Sequence, residues 1–543
     1  MVLKVAIVGA GVSGLASIKC CLNEGLEPIC FEKTGGIGGL WKFTEIPERR
    51  RITVYRSVIT NTSKEMTCFS DFPFPEDCPN YLHHSVLLKY LGAYAEHFQL
   101  LDYIHFKTTV YSIRKHPDFT STGQWVVHTE TGGQQASDIF DAVMICSGRY
   151  AEPNLPLDSF PGIENFKGRY LHSWEYRDQK EFEGKNVLVI GAGNTGGDIA
   201  SEVCRTAAKV FLSTRSGTWV LSRLAESGWP SDMVLGTRLM TYIQWLFPGC
   251  ILRRMKAKIF NRWFNHENYG LVPIQSSWTP VILNDELPSC ILSGAIVVKP
   301  NVKEFTETSV IFEDGTMENH IDVIIFTTGY SASFPFLEEP IHNICKSSTS
   351  LYKHIFPPHL EKPTLAIIGF IAINGSILPV AELQARWVTR VFNGSCKLPP
   401  VSRLMSEVAK KKKTLLKMGF PIEKDSIKTS FVAYMDEIAA CAGVKPNLLL
   451  LFLLDPKLAW KILCGPCTSY QYRLTGPGKW KKARSAILTE WDRVLKPLKT
   501  RATNHSPTHS MASFWFKVLG CSFLGTALVI LKFSSLSWLP RLK

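Results

Sequence analysis

No pair of C-x-x-C units at zinc-ligand spacing occurs in the 543 residues, and most of the 15 cysteines stand singly in apolar runs (Cys30, Cys68, Cys146, Cys204). A zinc centre and a disulfide scaffold are therefore excluded as organising devices, and a reducing compartment is expected. The N-terminus lacks the basic region and long apolar core of a secretory signal; Met1 to Gly9 reads as a buried strand entering a glycine turn. Long apolar runs are missing until near the C-terminus, which excludes a multi-span membrane protein. The basic residues are scattered and form no recognisable nucleic-acid module, so nucleic acid is not an expected partner. Lys+Arg 61 against Asp+Glu 47 leaves a net charge of +14, which suits an acidic membrane surface or a phosphorylated cofactor. Hydrophobic residues at 45% and charged residues at 20% are ordinary globular usage. The length calls for more than one domain.

What is present is a duplicated glycine loop. Gly9-Ala10-Gly11-Val12-Ser13-Gly14 follows the apolar run Val5–Val8 and precedes the helix-period residues Leu15, Ile18, Cys21 and Leu22. Glycines there allow a tight turn and close approach of a pyrophosphate to the backbone, with a helix N-terminus facing the phosphate charge. The next apolar run ends at Glu32, where a carboxylate accepts ribose hydroxyls. Gly35, Gly36, Gly38 and Gly39 follow, with Leu40-Trp41 as a flat apolar wall, an extension that suits the long ligand FAD.

The second loop is Gly191-Ala192-Gly193-Asn194-Thr195-Gly196-Gly197-Asp198 after Val187–Ile190. Its following strand ends at Arg215, read as standing where the first unit has Glu32. A base there matches a 2′-phosphate, and Arg223 is close enough in sequence to join it, so NADPH is expected in place of NADH. Apolar runs of this kind, alternating with helical periods, predict an α/β fold with two Rossmann-like domains. The expected order is a first FAD-binding part at 1–155 and an inserted NADPH domain at 156–330. That insert carries a helical insertion near 216–280. The FAD domain returns at 331–445 through the strand near Ile368, followed by a membrane-associated region at 446–510 and an anchor at 511–543. The lysine run Lys410–Lys413 is read as a solvated helix face.

With these residues assembled, the chain resembles the flavin-containing monooxygenases of the dimethylaniline N-oxide-forming type. The resemblance rests on Phe166-x-Gly168-x-x-x-His172-x-x-x-Tyr176, on Phe326-Thr-Thr-Gly329-Tyr330 and on Thr60-Asn61-Thr62-Ser63. It implies bound FAD and NADPH. It also implies transfer of oxygen from O₂, through a C4a-hydroperoxyflavin, to the soft nitrogen or sulfur of small xenobiotics, with no catalytic metal. Asn61 is the implied catalytic residue beside the flavin, with Thr60 and Thr62 as its neighbours in the cofactor site. Two departures stand out: Thr195 and Gly197 replace Ser and Cys of many relatives, and Ala372 stands near the position of a nicotinamide-contacting glutamine. Baeyer–Villiger oxygenation of ketones would use nearly the same scaffold. Cys464-Gly-Pro-Cys467 would suit a flavin disulfide reductase, if exposed at a helix N-terminus. His172 reads as a loop-holding residue in preference to an acid–base group.

Phe514 to Leu531 carries Lys517 as its one charge and is close to the ~20 apolar residues of a spanning helix. With Trp515 and Trp538 as interfacial aromatics, it predicts a C-terminal anchor in the endoplasmic reticulum membrane, with the catalytic domains facing the cytosol.

Overall fold

The first glycine loop sits on a five-stranded parallel sheet whose centre is β1 (Lys4–Val8). Helix α1 (Val12–Asn23) follows the loop, and β2 (Glu27–Glu32) and β3 (Ala142–Ile145) flank β1 in parallel register. The computed structural model describes residues 2–48, 51–274, 281–417 and 429–501. Val5, Ala6 and Ile7 are fully buried, as a central parallel strand covered on both faces requires. Strand Ile104–Phe106 extends the sheet beyond β2, and Leu365–Ile367 extends it beyond β3. That last strand brings the chain back to the first sheet. It arrives some 220 residues after β3, so the first sheet is assembled from two distant stretches of chain.

A second five-stranded sheet repeats the plan with β4 (Asn186–Ile190) at its centre. The second loop and helix α2 (Asn194–Val203) follow, with β5 (Lys209–Ser213) and β6 (Val323–Phe326) on either side. Ile296–Lys299 and Arg169–His172 form its edges. The chain enters and leaves this half through adjacent crossings, because Glu152–Pro153 pairs antiparallel with Tyr330–Ser331.

Between β5 and the Ile296–Lys299 edge lies the irregular insertion. It contains helices α3 (Arg238–Leu246) and α4 (Gly249–Phe260), and also a short parallel pair, Trp219–Leu221 with Val281–Leu283. Further on, α5 (Leu448–Leu454) leads into α6 (Pro456–Cys464), which packs against α3. Residues 1–494 form one unit: Ile462, Tyr470, Tyr472 and Trp491 belong to the same apolar core as α1. Residues 495–543 form a second unit, of which Lys496–Leu498 is a single helical turn.

Two expectations meet corrections or limits here. The lysine run is not wholly solvated: Lys411 Nζ bonds Nε2 of buried His354 at 2.6 Å and Lys412 bonds Ser350 at 3.0 Å. The anchor at 511–543, with Phe514 to Leu531, lies outside the described residues. Among those described, no helix is long and apolar enough to cross a membrane.

Candidate functional site

The two loops are built alike. Gly9 has φ +101° and Gly191 φ +110°, and a Cβ on either would lie 2.9 Å from a backbone carbonyl oxygen, that of Cys146 or Thr327. A Cβ on Gly14 would sit 1.9 Å from the Gly9 carbonyl oxygen, and one on Gly196 would sit 2.0 Å from that of Gly191. The outer glycines are thus demanded by close packing of turn, strand and helix. The middle glycines differ in kind. Gly193 has nothing within 4 Å of an added Cβ, and Gly11 meets only the Gly39 backbone, its Cα at 3.7 Å and its N at 3.9 Å, so both leave space for a ligand.

Glu32 is buried and preset. Its two carboxylate oxygens accept the Ala10 and Thr34 N–H groups, each at 2.8 Å. Each oxygen keeps a second lone pair for a ribose hydroxyl. These residues fit the adenosine diphosphate end of FAD. Leu40, Trp41 and the 3₁₀ turn Gly39–Trp41 stand beside Gly11, and Val54 N–H ties this turn to the Asn61 segment through the Leu40 carbonyl at 3.1 Å.

In the second loop the register corrects the sequence reading by one residue. Gly9 N–H donates to the Phe31 carbonyl and Gly191 N–H to the Ser213 carbonyl. The counterpart of Glu32 is therefore Thr214, and Arg215 lies one position further, exposed. Equal spacing from the first glycine of each loop would have found it, since the interval from Gly9 to Glu32 equals that from Gly191 to Thr214. A cavity of about 710 Å³ opens there, lined by Thr214, Arg215 and Lys299 among others. A neutral hydroxyl with an arginine beside it fits a 2′-phosphate, which a carboxylate would repel.

Arg223 does not join Arg215. It is buried, its backbone N–H and Nη1 bond the two carboxylate oxygens of Asp285 at 2.9 and 3.2 Å, and its Nη2 donates to Asn61 Oδ1 at 2.8 Å. Thr60 is buried and bonds both ways with Leu82, while Thr62 Oγ1 meets Thr67 Oγ1 at 2.8 Å. Asp198 accepts from Tyr55 OH at 2.7 Å and Asn284 Nδ2 at 2.9 Å, and burial pushes its carboxyl pKa up. Thr195 lies in the first turn of α2, and Gly197 faces Ile282, whose Cγ2 would lie 2.8 Å from an added Cβ. Asp285 and Asp232 escape sequence reasoning, having no local pattern around them. Burial pushes Asp232 up to about 6 even though Ser63 N–H, Ser63 O–H and Met233 N–H donate to it.

His172 is neutral and occupied. Nε2 donates to the Gly329 carbonyl at 3.1 Å, Nδ1 accepts from Trp174 N–H, and burial lowers its pKa to about 4. Ala372 is buried and offers only its carbonyl, to Thr429 N–H at 2.8 Å. The C-x-x-C pair suits no redox centre. Cys464 ends helix α6, where the dipole disfavours a thiolate; burial pushes its thiol to about 11 and raises that of Cys467 as well. Among the described residues no His, Cys, Asp or Glu cluster has metal-holding geometry.

Comparison with known proteins gives the family of the chain. The flavin-binding monooxygenase-like family profile matches residues 2–533. Dimethylaniline monooxygenase (N-oxide-forming) 4 of Oryctolagus cuniculus is 55% identical over 536 residues, covering 98% of this chain and 96% of that protein. Dimethylaniline monooxygenase (N-oxide-forming) 2 of Mus musculus is 54% identical over 522 residues, covering 96% and 97%. Among solved structures, S-allyl-L-cysteine S-oxygenase from Allium sativum shares the fold with TM-score 0.61 at 24% identity, over 84% of this chain and 95% of that one. A closed cyclohexanone monooxygenase structure aligns with TM-score 0.58 at 15% identity, over 82% and 98%. The chain belongs to the flavin-binding monooxygenase-like family.

Proposed function

We propose that the protein uses NADPH and O₂ to oxygenate soft nitrogen or sulfur atoms of small molecules, with FAD held in the first glycine loop and NADPH in the second. The observation that carries this is the pair of loops of one geometry, with Glu32 closing the first and Thr214-Arg215 the second. One accepts ribose hydroxyls and the other tolerates a 2′-phosphate. The naming of the 55%-identical relatives as N-oxide-forming monooxygenases supports the same reaction class.

FAD, when bound, accepts a hydride from NADPH and makes O₂ able to transfer one oxygen atom. The balance is substrate, O₂, NADPH and a proton giving oxygenated substrate, NADP⁺ and water. The protein's share is binding, orientation and exclusion of water. Helices α1 and α2 begin directly after the glycine loops, so their N-termini would face the pyrophosphates of the bound cofactors. Asn61 offers an amide that donates and accepts without titrating. Tyr55, its pKa raised well above the ordinary value by burial, stays a neutral donor to Asp198. Purified protein should be yellow and should convert a thioether to its sulfoxide with NADPH. A colourless active protein, or oxygenation without NADPH, would refute the assignment.

Membrane association belongs to the same reading, on the cytosolic face of the endoplasmic reticulum. The support within the described residues is an exposed apolar surface on packed elements. Leu453 on α5 is 82% exposed and Trp245 on α3 69%. On α4, Ile251, Met255 and Ile259 make one exposed apolar stripe beside Arg253, Arg254 and Lys258. Apolar stripes edged with bases suit the headgroup region of an acidic bilayer.

A further inference from the structure

The segment that carries Asn61 is held from the other half of the unit. Tyr55 OH donates to Asp198 at 2.7 Å, and Ser57 Oγ to Glu202 at 2.5 Å. Ser63 donates its N–H and O–H to one oxygen of Asp232 at 2.7 and 2.9 Å. Among these contacts, that of Arg223 ends on the amide itself, with Nη2 2.8 Å from Asn61 Oδ1 and Nε 3.4 Å from the Thr60 carbonyl. Arg223 is anchored in turn. Asp285 takes its backbone N–H and Nη1, Ser222 Oγ adds a 2.6 Å bond to the same carboxylate, and Tyr81 OH donates to its carbonyl at 2.7 Å.

A guanidinium has donors only, so the atom of Asn61 that faces it is the oxygen. The amide nitrogen must then point away, and Nδ2 makes no hydrogen bond to another described residue. Flipping the amide would set NH₂ against a buried guanidinium, two donors face to face, which leaves both unsatisfied. An asparagine without this neighbour would present either end to a cofactor; with it, one end is selected.

We propose that Arg223 is a positioning residue that locks the Asn61 amide with Nδ2 presented to the bound cofactors, and that Asp285 holds Arg223 in that pose. This rests on the monooxygenase reading. It separates Arg223 from 2′-phosphate recognition and places it in the coupling of NADPH oxidation to oxygen transfer. Failure of that coupling sends O₂, NADPH and a proton to hydrogen peroxide and NADP⁺.

The test uses full-length holoenzyme as wild type, Asn61→Ala, Arg223→Gln, the double variant, Asp285→Asn and Ser57→Ala. Peroxide and sulfoxide per NADPH are measured with a thioether, together with the NADP⁺ dissociation constant of the oxidised protein from its visible absorption, and the melting temperature. Arg223→Gln should raise the peroxide share and weaken NADP⁺ binding by about tenfold or more, the scale of one lost charge-assisted bond. The double variant should be no worse than Asn61→Ala, since the arginine acts through the amide. Ser57→Ala, which removes a contact between the halves without touching Asn61, should alter neither ratio. Wild-type coupling in Arg223→Gln, or full additivity in the double variant, overturns the proposal. Should Arg223→Gln not fold, unchanged coupling in Asp285→Asn overturns it equally. A wild type that makes no sulfoxide refutes the monooxygenase reading instead, and the NADP⁺ constants still judge the arginine.

Discussion

His172 Nε2 donates to the Gly329 carbonyl at 3.1 Å, joining the edge strand of the second sheet to the turn after β6. The two sequence signatures that carry these residues are therefore one structural joint. Its ring is T-shaped against Tyr330 and its other nitrogen is already an acceptor, so no proton is available for chemistry. The folded pKa, about 4, lies below the ordinary value of 6.5, so the unfolded chain binds more protons between these values. Stability from this group is complete above pH 6.5 and declines as the pH falls toward 4. His172→Gln should lower the melting temperature at pH 7.5 and flatten the decline between pH 6.5 and 4, while the pH profile of turnover above 6.5 stays in place. A shifted turnover profile would restore an acid–base role.

The glycines of the first loop separate fold from binding. Gly14→Ala puts a methyl 1.9 Å from a backbone oxygen, so the loop must move and the apoprotein should itself lose stability. Gly11→Ala meets only an ordinary contact, at 3.7 Å, and should leave the apoprotein melting temperature within about 1 °C, the scale of a near-neutral surface change. A fall in bound FAD per chain in Gly11→Ala then reports ligand contact at the middle glycine. Full FAD content in that variant would place the pyrophosphate elsewhere.

What could be read from the sequence was local. Gly9, Gly14, Gly191 and Gly196 are legible because a strand, a turn and a helix follow one another within a few residues, and Glu32 because it closes the next strand. Arg215 lies one residue past the counterpart of Glu32: the equal intervals from Gly9 to Glu32 and from Gly191 to Thr214 carry that register in the sequence, and the Gly191–Ser213 main-chain bond carries it in the fold. Arg223 and Asn61 are 162 positions apart, and their contact exists only once the insertion meets the segment that carries Asn61. Lys411 fails for the same reason: its partner, His354, arrives from a distant turn.

Coenzyme choice should follow Thr214 and Arg215. Removing a charge-assisted pair costs about 1.5–3 kcal/mol, roughly tenfold to a hundredfold in affinity. Arg215→Ala should therefore raise KM for NADPH on that scale while leaving KM for NADH nearly unchanged. Thr214→Glu installs in the second unit the carboxylate that Glu32 provides in the first, and should turn preference toward NADH. Equal losses for both coenzymes in Arg215→Ala would remove the 2′-phosphate from this position.

The exposed apolar helices make a prediction separate from the C-terminal segment. Leu449, Leu453 and Leu454 on α5 are 81%, 82% and 74% exposed, an arrangement a solvated surface does not favour. Each leucine side chain moved from water to an apolar setting contributes up to about 1.5–3 kcal/mol, so three together can hold a protein at a bilayer. Trp245 on α3 and Trp460 on α6 are exposed as well, and the bases of α4 add attraction to acidic headgroups. A chain ending at Arg501 should consequently still float with vesicles of phosphatidylcholine and phosphatidylserine. Replacing Leu449, Leu453 and Leu454 by serine in that shortened chain should abolish flotation without changing its melting temperature, because none of the three is buried. High salt should weaken binding only in part, since screening removes the headgroup attraction and leaves the apolar contact. A shortened chain that remains wholly in the aqueous fraction, with FAD bound, would show that these helices do not reach the bilayer.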